Sequence, residues 1–293
     1  MKPWWYLIGL VSWLSTCNCI AHGTTVTDVS TYGFFVSFIK PALCGGVLIS
    51  TDPPWVLTAA HCILPGKTPT VVGYGGSQMR RHYASIRQSV THPLYVPQRS
   101  HSSDEVFYDI GLVQLTTIDP EASRVAIGAT GYDQVQGVTL GMGYTGLNEP
   151  EADRLQSAQC YVAESSGSML FIISNATLCH GDSGGPLLAW VDDHYVLVGI
   201  LNRIINAYDP DTNNTSCPVR QRLDKPMDNA FVKVAFHMDW IVNTTQLPAQ
   251  ALTASAQTVL LPYSISGGLK VAEKSITGLV ITVLCTVLCN YAP

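Results

Sequence analysis

Charge is scarce in this sequence. Charged residues make up 13% of its 293 positions, lysine is rare, and no basic run occurs. With a formal net charge of −5, the chain lacks the cationic stripe that a phosphate backbone demands, so no nucleic-acid partner is expected. It has no internal repeat and no phosphate-binding glycine loop, and its eight histidines show no zinc-ligand spacing. No metal or cofactor is expected. Apolar runs of the roughly twenty residues that a membrane helix needs are lacking as well. What is abundant is apolar and turn-forming: 47% hydrophobic residues, 24 glycines, 17 prolines and 13 tyrosines. That mix can build a sizeable core and suits strands and loops better than helices.

Both chain ends read as processing segments. Residues 1–19 carry Lys2, an apolar stretch from Trp4 to Leu14, and small residues from Ser15 to Cys19. This is the layout of a secretory signal. At the other end come Ser264 to Gly268, mostly small, a spacer to Ser275, and an almost wholly apolar run from Ile276 to Cys289. Small site, polar spacer and hydrophobic tail form the layout of a GPI-attachment signal, with a transmembrane helix as the alternative. The expected division is a signal at 1–19, a domain at 20–242, a Thr/Gln/Ala/Ser/Pro linker at 243–266, and a hydrophobic tail at 267–293. Of nine cysteines, five lie between the ends: Cys44, Cys62, Cys160, Cys179 and Cys217. Export makes disulfides plausible, and an odd count leaves one thiol over.

Short β-branched or aromatic runs recur between Gly/Pro/Asp/Asn clusters. They include Phe34–Ile39, Gly46–Ile49, Gly111–Leu115, Val138–Leu140, Leu155–Val162, Pro186–Trp190 and Val196–Leu201. Many short strands at such spacing predict a barrel or sandwich. One late helix is expected over Phe231–Val242, where Val234, Met238 and Ile241 share a face; Phe231–Val234 reads equally well as a strand.

Three motifs carry chemistry: Leu57-Thr58-Ala59-Ala60-His61-Cys62, Tyr108-Asp109-Ile110-Gly111-Leu112, and Cys179-His180-Gly181-Asp182-Ser183-Gly184-Gly185-Pro186. In this order they resemble the signatures of the trypsin/chymotrypsin family of serine peptidases over roughly residues 20–242. A serine hydroxyl attacks a carbonyl only when a base takes its proton, and a histidine does so best with a carboxylate behind it. The resemblance implies an all-β fold of two packed antiparallel six-stranded barrels with a C-terminal helix. It also implies a serine endopeptidase acting on proteins or peptides. His61 would be the general base and acid, Asp109 its orienting carboxylate, and Ser183 the nucleophile. The oxyanion donors would be the backbone N–H groups of Gly181 and Ser183. Gly-Asp-Ser-Gly-Gly also fits the nucleophile elbow of α/β-hydrolases, but those enzymes run Ser, Asp, His along the chain and this sequence runs His, Asp, Ser. A catalytically silent homologue that only binds is the other alternative.

The resemblance further implies disulfides Cys44–Cys62 and Cys179–Cys217, with Cys160 left over. It implies that a new N-terminus at Ile20, released by signal cleavage after Cys19, pairs with Asp182. The pocket-base position falls on Thr177, with Leu178 beside it and His180 at the nucleophile loop. The pocket walls fall on Asn202-Arg203-Ile204 and on Asn229. With no carboxylate at Thr177, trypsin-like selection of Arg or Lys is not expected, and small or medium uncharged side chains are. Sequons begin at Asn175, Asn213, Asn214 and Asn243. Glycans are expected on the last three and not on Asn175, which lies close to the pocket base in sequence.

Overall fold

The computed structural model describes residues 20–253 except 21–22, 40–42, 67–68, 76–81, 98–107, 121, 129–133, 146–149, 206, 209–216, 218–219 and 222–227. The proposed signal, the C-terminal tail and the sequons at Asn213 and Asn214 lie outside these residues.

Six strands close the first barrel: β2 (Phe35–Phe38), β3 (Cys44–Thr51), β4 (Pro54–Thr58), β5 (Val71–Tyr74), β6 (His82–Thr91) and β7 (Gly111–Leu115). They join in the order β2-β3-β4-β7-β6-β5, with β5 pairing back to β2 and every pair antiparallel. Its interior is aromatic and aliphatic. Phe35, Phe38, Leu57 and Leu112 are fully buried, and each supplies about 1.5–3 kcal/mol of burial free energy.

The second barrel uses β9 (Gln136–Gly141), β10 (Gln156–Ser166), β11 (Met169–Ile173), β12 (Pro186–Val191), β13 (His194–Ile205) and β16 (Asp228–Lys233). They run β10-β11-β16-β13-β12-β9, and β9 closes the ring on β10. Short β1 (Thr24–Thr25) adds to β10, and β8 (Ala126–Ile127) lies parallel to β13. A two-stranded ribbon of β14 (Ala207–Tyr208) and β15 (Arg220–Gln221) completes the sheets. The chain thus has the chymotrypsin-like fold that its motifs implied.

The helical segment is shifted from its expected position. Phe231 and Val232 sit in β16, both fully buried. A 3₁₀ turn at Val234–His237 follows, and then α1 (Met238–Thr245). A strand buried on both faces shows no alternation, which is why this run reads either way in sequence. The folded unit also continues past residue 242, where a linker was expected. A second helix, α2 (Ala249–Thr253), buries Leu252 completely against the main core. No helix among the described residues is long and apolar enough to cross a membrane.

Candidate active site

The pairing of β4 with β7 brings two of the motif residues together. Thr58 opposes Gly111 at one end of that antiparallel pair. His61 leaves this end in a 3₁₀ turn, Ala60–Ile63, and Asp109 enters it just ahead of β7. The carboxylate spans the gap. His61 donates its backbone N–H to Asp109 Oδ1 at 2.8 Å, and His61 Nδ1 lies 2.7 Å from Asp109 Oδ2. Asp109 is buried, whereas a third of the His61 side chain is exposed. Such an arrangement fixes the ring plane.

Ser183 is carried to the same place by its loop. Gly45 N–H donates to Ser183 O at 2.8 Å, and Thr58 Oγ1 donates to Gly45 O at 2.8 Å. Gly184 has φ +79° and packs so tightly that a Cβ would strike Thr58 Oγ1 and Gly45 O. Only glycine fits there. Gly181 has φ +95°, and a Cβ on it would run into the Leu43 side chain. The loop is also tied to β13, since Gly184 N–H donates to Leu201 O at 2.8 Å and Leu201 N–H to Gly185 O at 2.9 Å. Ser183 itself is half-buried.

Asp182 is wholly buried beneath this loop. It accepts hydrogen bonds from Gly143 N–H at 2.7 Å and Cys179 N–H at 2.8 Å. Burial pushes its pKa up to about 7, against the pull of these two donors. In the chain with residues 1–19 attached, the Ile20 nitrogen is an amide. The Ile20 side chain is 1% exposed and packs in the interior of the second barrel with Leu178, Cys160 and Phe231.

Asn202, expected as a pocket wall, has a different contact. Its Nδ2 donates to Asp109 Oδ2 at 2.7 Å, both groups being buried. The Asp109 carboxylate therefore accepts from both barrels. Nothing in the local sequence pointed to this bond, because many residue types can donate to a carboxylate. Two of the other pocket candidates are brought together by strand pairing. Ile204 and Asn229 are opposite one another on β13 and β16, and Ile172 of β11 opposes Asn229 on its other side. Leu178 and Asn229 are buried, Thr177 and Arg203 are half-buried, and His180 is exposed. The His180 carbonyl accepts from Tyr144 N–H at 2.9 Å. Asn229 Oδ1 and Arg203 Nε are buried without a hydrogen-bond partner.

Disulfides join Cys44 to Cys62 and Cys179 to Cys217, the two pairings that the resemblance implied. The first ties β3 to the turn that carries His61. Cys160 is free and buried, and burial raises its thiol pKa to about 12, far from a reactive thiolate. Cys44, His61 and Cys62 lie close enough together to suggest a metal site. The disulfide occupies both sulfurs, however, and neither offers a thiolate.

A ring cluster flanks the site and was not anticipated. His92 stacks on Tyr108, the neighbour of Asp109, with centroids 4.9 Å apart, and meets His237 at 5.0 Å and Trp240 at 4.9 Å. These contacts seat α1 and the turn before it against the loop that delivers Asp109.

Comparison with known proteins agrees with this geometry. The family model described as Trypsin matches residues 20–222. Human chymotrypsin-like elastase family member 1 is 29% identical over 231 residues, covering 68% of this chain and 80% of its own length. The bovine protein of the same name is 28% identical over 227 residues, with coverage of 68% and 77%. Mouse vitamin K-dependent protein C is 29% identical over 192 residues, which are 56% of this chain and 41% of that protein.

Proposed function

Because the chain belongs to the trypsin family of serine peptidases, we propose that it is an active, exported serine endopeptidase whose triad is His61, Asp109 and Ser183. The observation that carries this reading is the hydrogen-bond array on Asp109, with His61 Nδ1 and Asn202 Nδ2 both 2.7 Å from one carboxylate oxygen. A histidine that donates Nδ1–H to a carboxylate keeps Nε2 as its basic nitrogen. Nε2 takes the Ser183 proton as Oγ attacks the scissile carbonyl. The oxyanion that forms accepts from the N–H groups of Gly181 and Ser183. His61 then returns the proton to the leaving amine, and water hydrolyses the acyl-enzyme by the same steps in reverse. Positive φ at Gly181 and Gly184 supports a loop turned for this purpose.

Activation follows from the buried Asp182. Cleavage ahead of Ile20 creates an ammonium that pairs with this carboxylate and orders the loop next to Ser183. Export is supported by the two disulfides and by the sequence of residues 1–19. The C-terminal tail then serves as a GPI-attachment signal or membrane tether, and exposed Asn243 accepts a glycan.

The substrate preference is for small or medium uncharged side chains. Thr177 offers no carboxylate, and Asn229, buried, pairs across the strands with Ile204. A peptide-library cleavage profile of the protein beginning at Ile20, run beside Ser183→Ala, tests the reading. Expected is cleavage after residues such as Ala, Val or Thr that Ser183→Ala abolishes. A profile dominated by Arg and Lys overturns the preference. Equal inactivity of both proteins favours a silent homologue that binds without cleaving.

A further inference from the structure

We infer that Asn175 carries an N-linked glycan and that this glycan covers an exposed apolar pair, Tyr161 and Ile173, on the outer face of the second barrel. The inference rests on the proposed export of the chain. Asn175-Ala176-Thr177 is a sequon, and although its place next to the pocket base argues against use, the fold turns Asn175 outward. It is exposed in the bend that follows β11. Two bonds of one hydroxyl fix that bend: Ser174 Oγ accepts from Ala176 N–H at 3.1 Å and donates to Gln159 O of β10 at 3.0 Å. Ala176 points inward and joins the barrel interior. Asn175 is thereby held on the surface.

A second observation identifies what the sugar would meet. Ile173 ends β11 with 65% of its surface exposed, and its cross-strand partner Tyr161 is 40% exposed. Their chain neighbours Ile172 and Val162 are buried in the barrel, so strand alternation places Tyr161 and Ile173 together on the outer face. Two large apolar side chains side by side in water form a small apolar patch. An acceptor two residues beyond Ile173 lies at most about 7 Å from it along the chain, within reach of the first sugars. The C–H faces of those sugars can lie on the Tyr161 ring and the Ile173 side chain, while their hydroxyls face water.

The modification is a group transfer from a polyprenyl-pyrophosphate-linked oligosaccharide. A bond forms between Asn175 Nδ2 and C1 of the first N-acetylglucosamine. The bond from C1 to the pyrophosphate oxygen breaks, Nδ2 gives up one proton, and polyprenyl pyrophosphate leaves.

The test uses the full chain made through a eukaryotic secretory pathway, beside Asn175→Gln. Glycopeptide mass spectrometry should find Asn175 occupied, and Asn175→Gln should run one glycan lighter and keep its turnover. Binding of the apolar dye anilinonaphthalene sulfonate should rise severalfold in Asn175→Gln and fall back when Ile173→Ser is added. A bare Asn175 in exported protein whose Asn243 is glycosylated overturns the inference alone. No glycan at any sequon, with residues 1–19 retained, overturns both it and the export reading. An occupied Asn175 with unchanged dye binding in Asn175→Gln refutes the covering role.

Discussion

At the scale of single residues, the Asp109 carboxylate concentrates the argument. It accepts from His61 N–H, His61 Nδ1 and Asn202 Nδ2, and a buried carboxylate stays in place only if such donors hold it. A hydrogen bond to a charged group is worth about 1.5–3 kcal/mol, which converts to roughly a 10- to 150-fold rate effect if it acts through the transition state. Asn202→Ala should therefore lower kcat by about that factor with little change in KM, and Asn202→Ser should restore part of it. Steady-state kinetics decide the matter. A changed KM with an intact kcat would return Asn202 to the pocket wall. The pairing of His61 with Asp109 was legible in sequence because both residues sit in short fixed contexts. Asn202 was not, because its partner lies 93 positions away and the bond needs only an N–H or O–H in the right place.

At the scale of elements, legibility followed burial. Strands buried on both faces, such as β2, β3 and β7, announce themselves as apolar runs. Strand β6 (His82–Thr91) does not, since it is mostly polar and buries only Ala84 fully. Helix α2 was likewise hidden, because one buried leucine in polar text looks like a linker. Helix α1 brings a titratable contact with it. Leu94 N–H donates to His92 Nδ1 at 3.2 Å, so that ring is neutral, and burial lowers its pKa from 6.5. Tyr108 and His237 are the titratable groups whose rings meet it. The unfolded chain binds this proton more readily than the folded one. The contribution of His92 to stability is thus complete above pH 6.5 and lost as pH falls through its lowered folded value. The protection of α1 amides, taken relative to their intrinsic exchange at each pH, should fall on acidification, and His92→Phe should flatten that response. An unchanged acid response in His92→Phe would assign it to other groups.

At the scale of the molecule, each barrel brings what the other lacks. The first holds His61 and Asp109, and the second delivers Ser183 and the Asn202 bond to Asp109. Asp182 is buried beneath the loop that carries Ser183. Among the described residues its partners are two backbone N–H groups, and its pKa is raised from 3.8 to about 7. A carboxyl that holds its proton more tightly when folded costs stability as pH rises between those values. The form bearing residues 1–19 should accordingly lose Tm from pH 4 to 7 relative to the form beginning at Ile20, whose ammonium favours the ionised carboxylate. Parallel Tm curves for the two forms would separate Asp182 from activation. The two-barrel fold was readable because its strands and motifs come in one order. The approach of Asn229 to Ile204 was not, because they meet only through pairing of β13 with β16. The central claim is that these parts make a working nucleophile. The most direct measurement is stoichiometric labelling of the protein beginning at Ile20 with a fluorophosphonate probe, read by mass spectrometry of the modified peptide. One label per chain is expected, on Ser183, with labelling on the order of 10⁶-fold slower in His61→Ala. A folded protein that takes no label, or one labelled equally fast without His61, would contradict it.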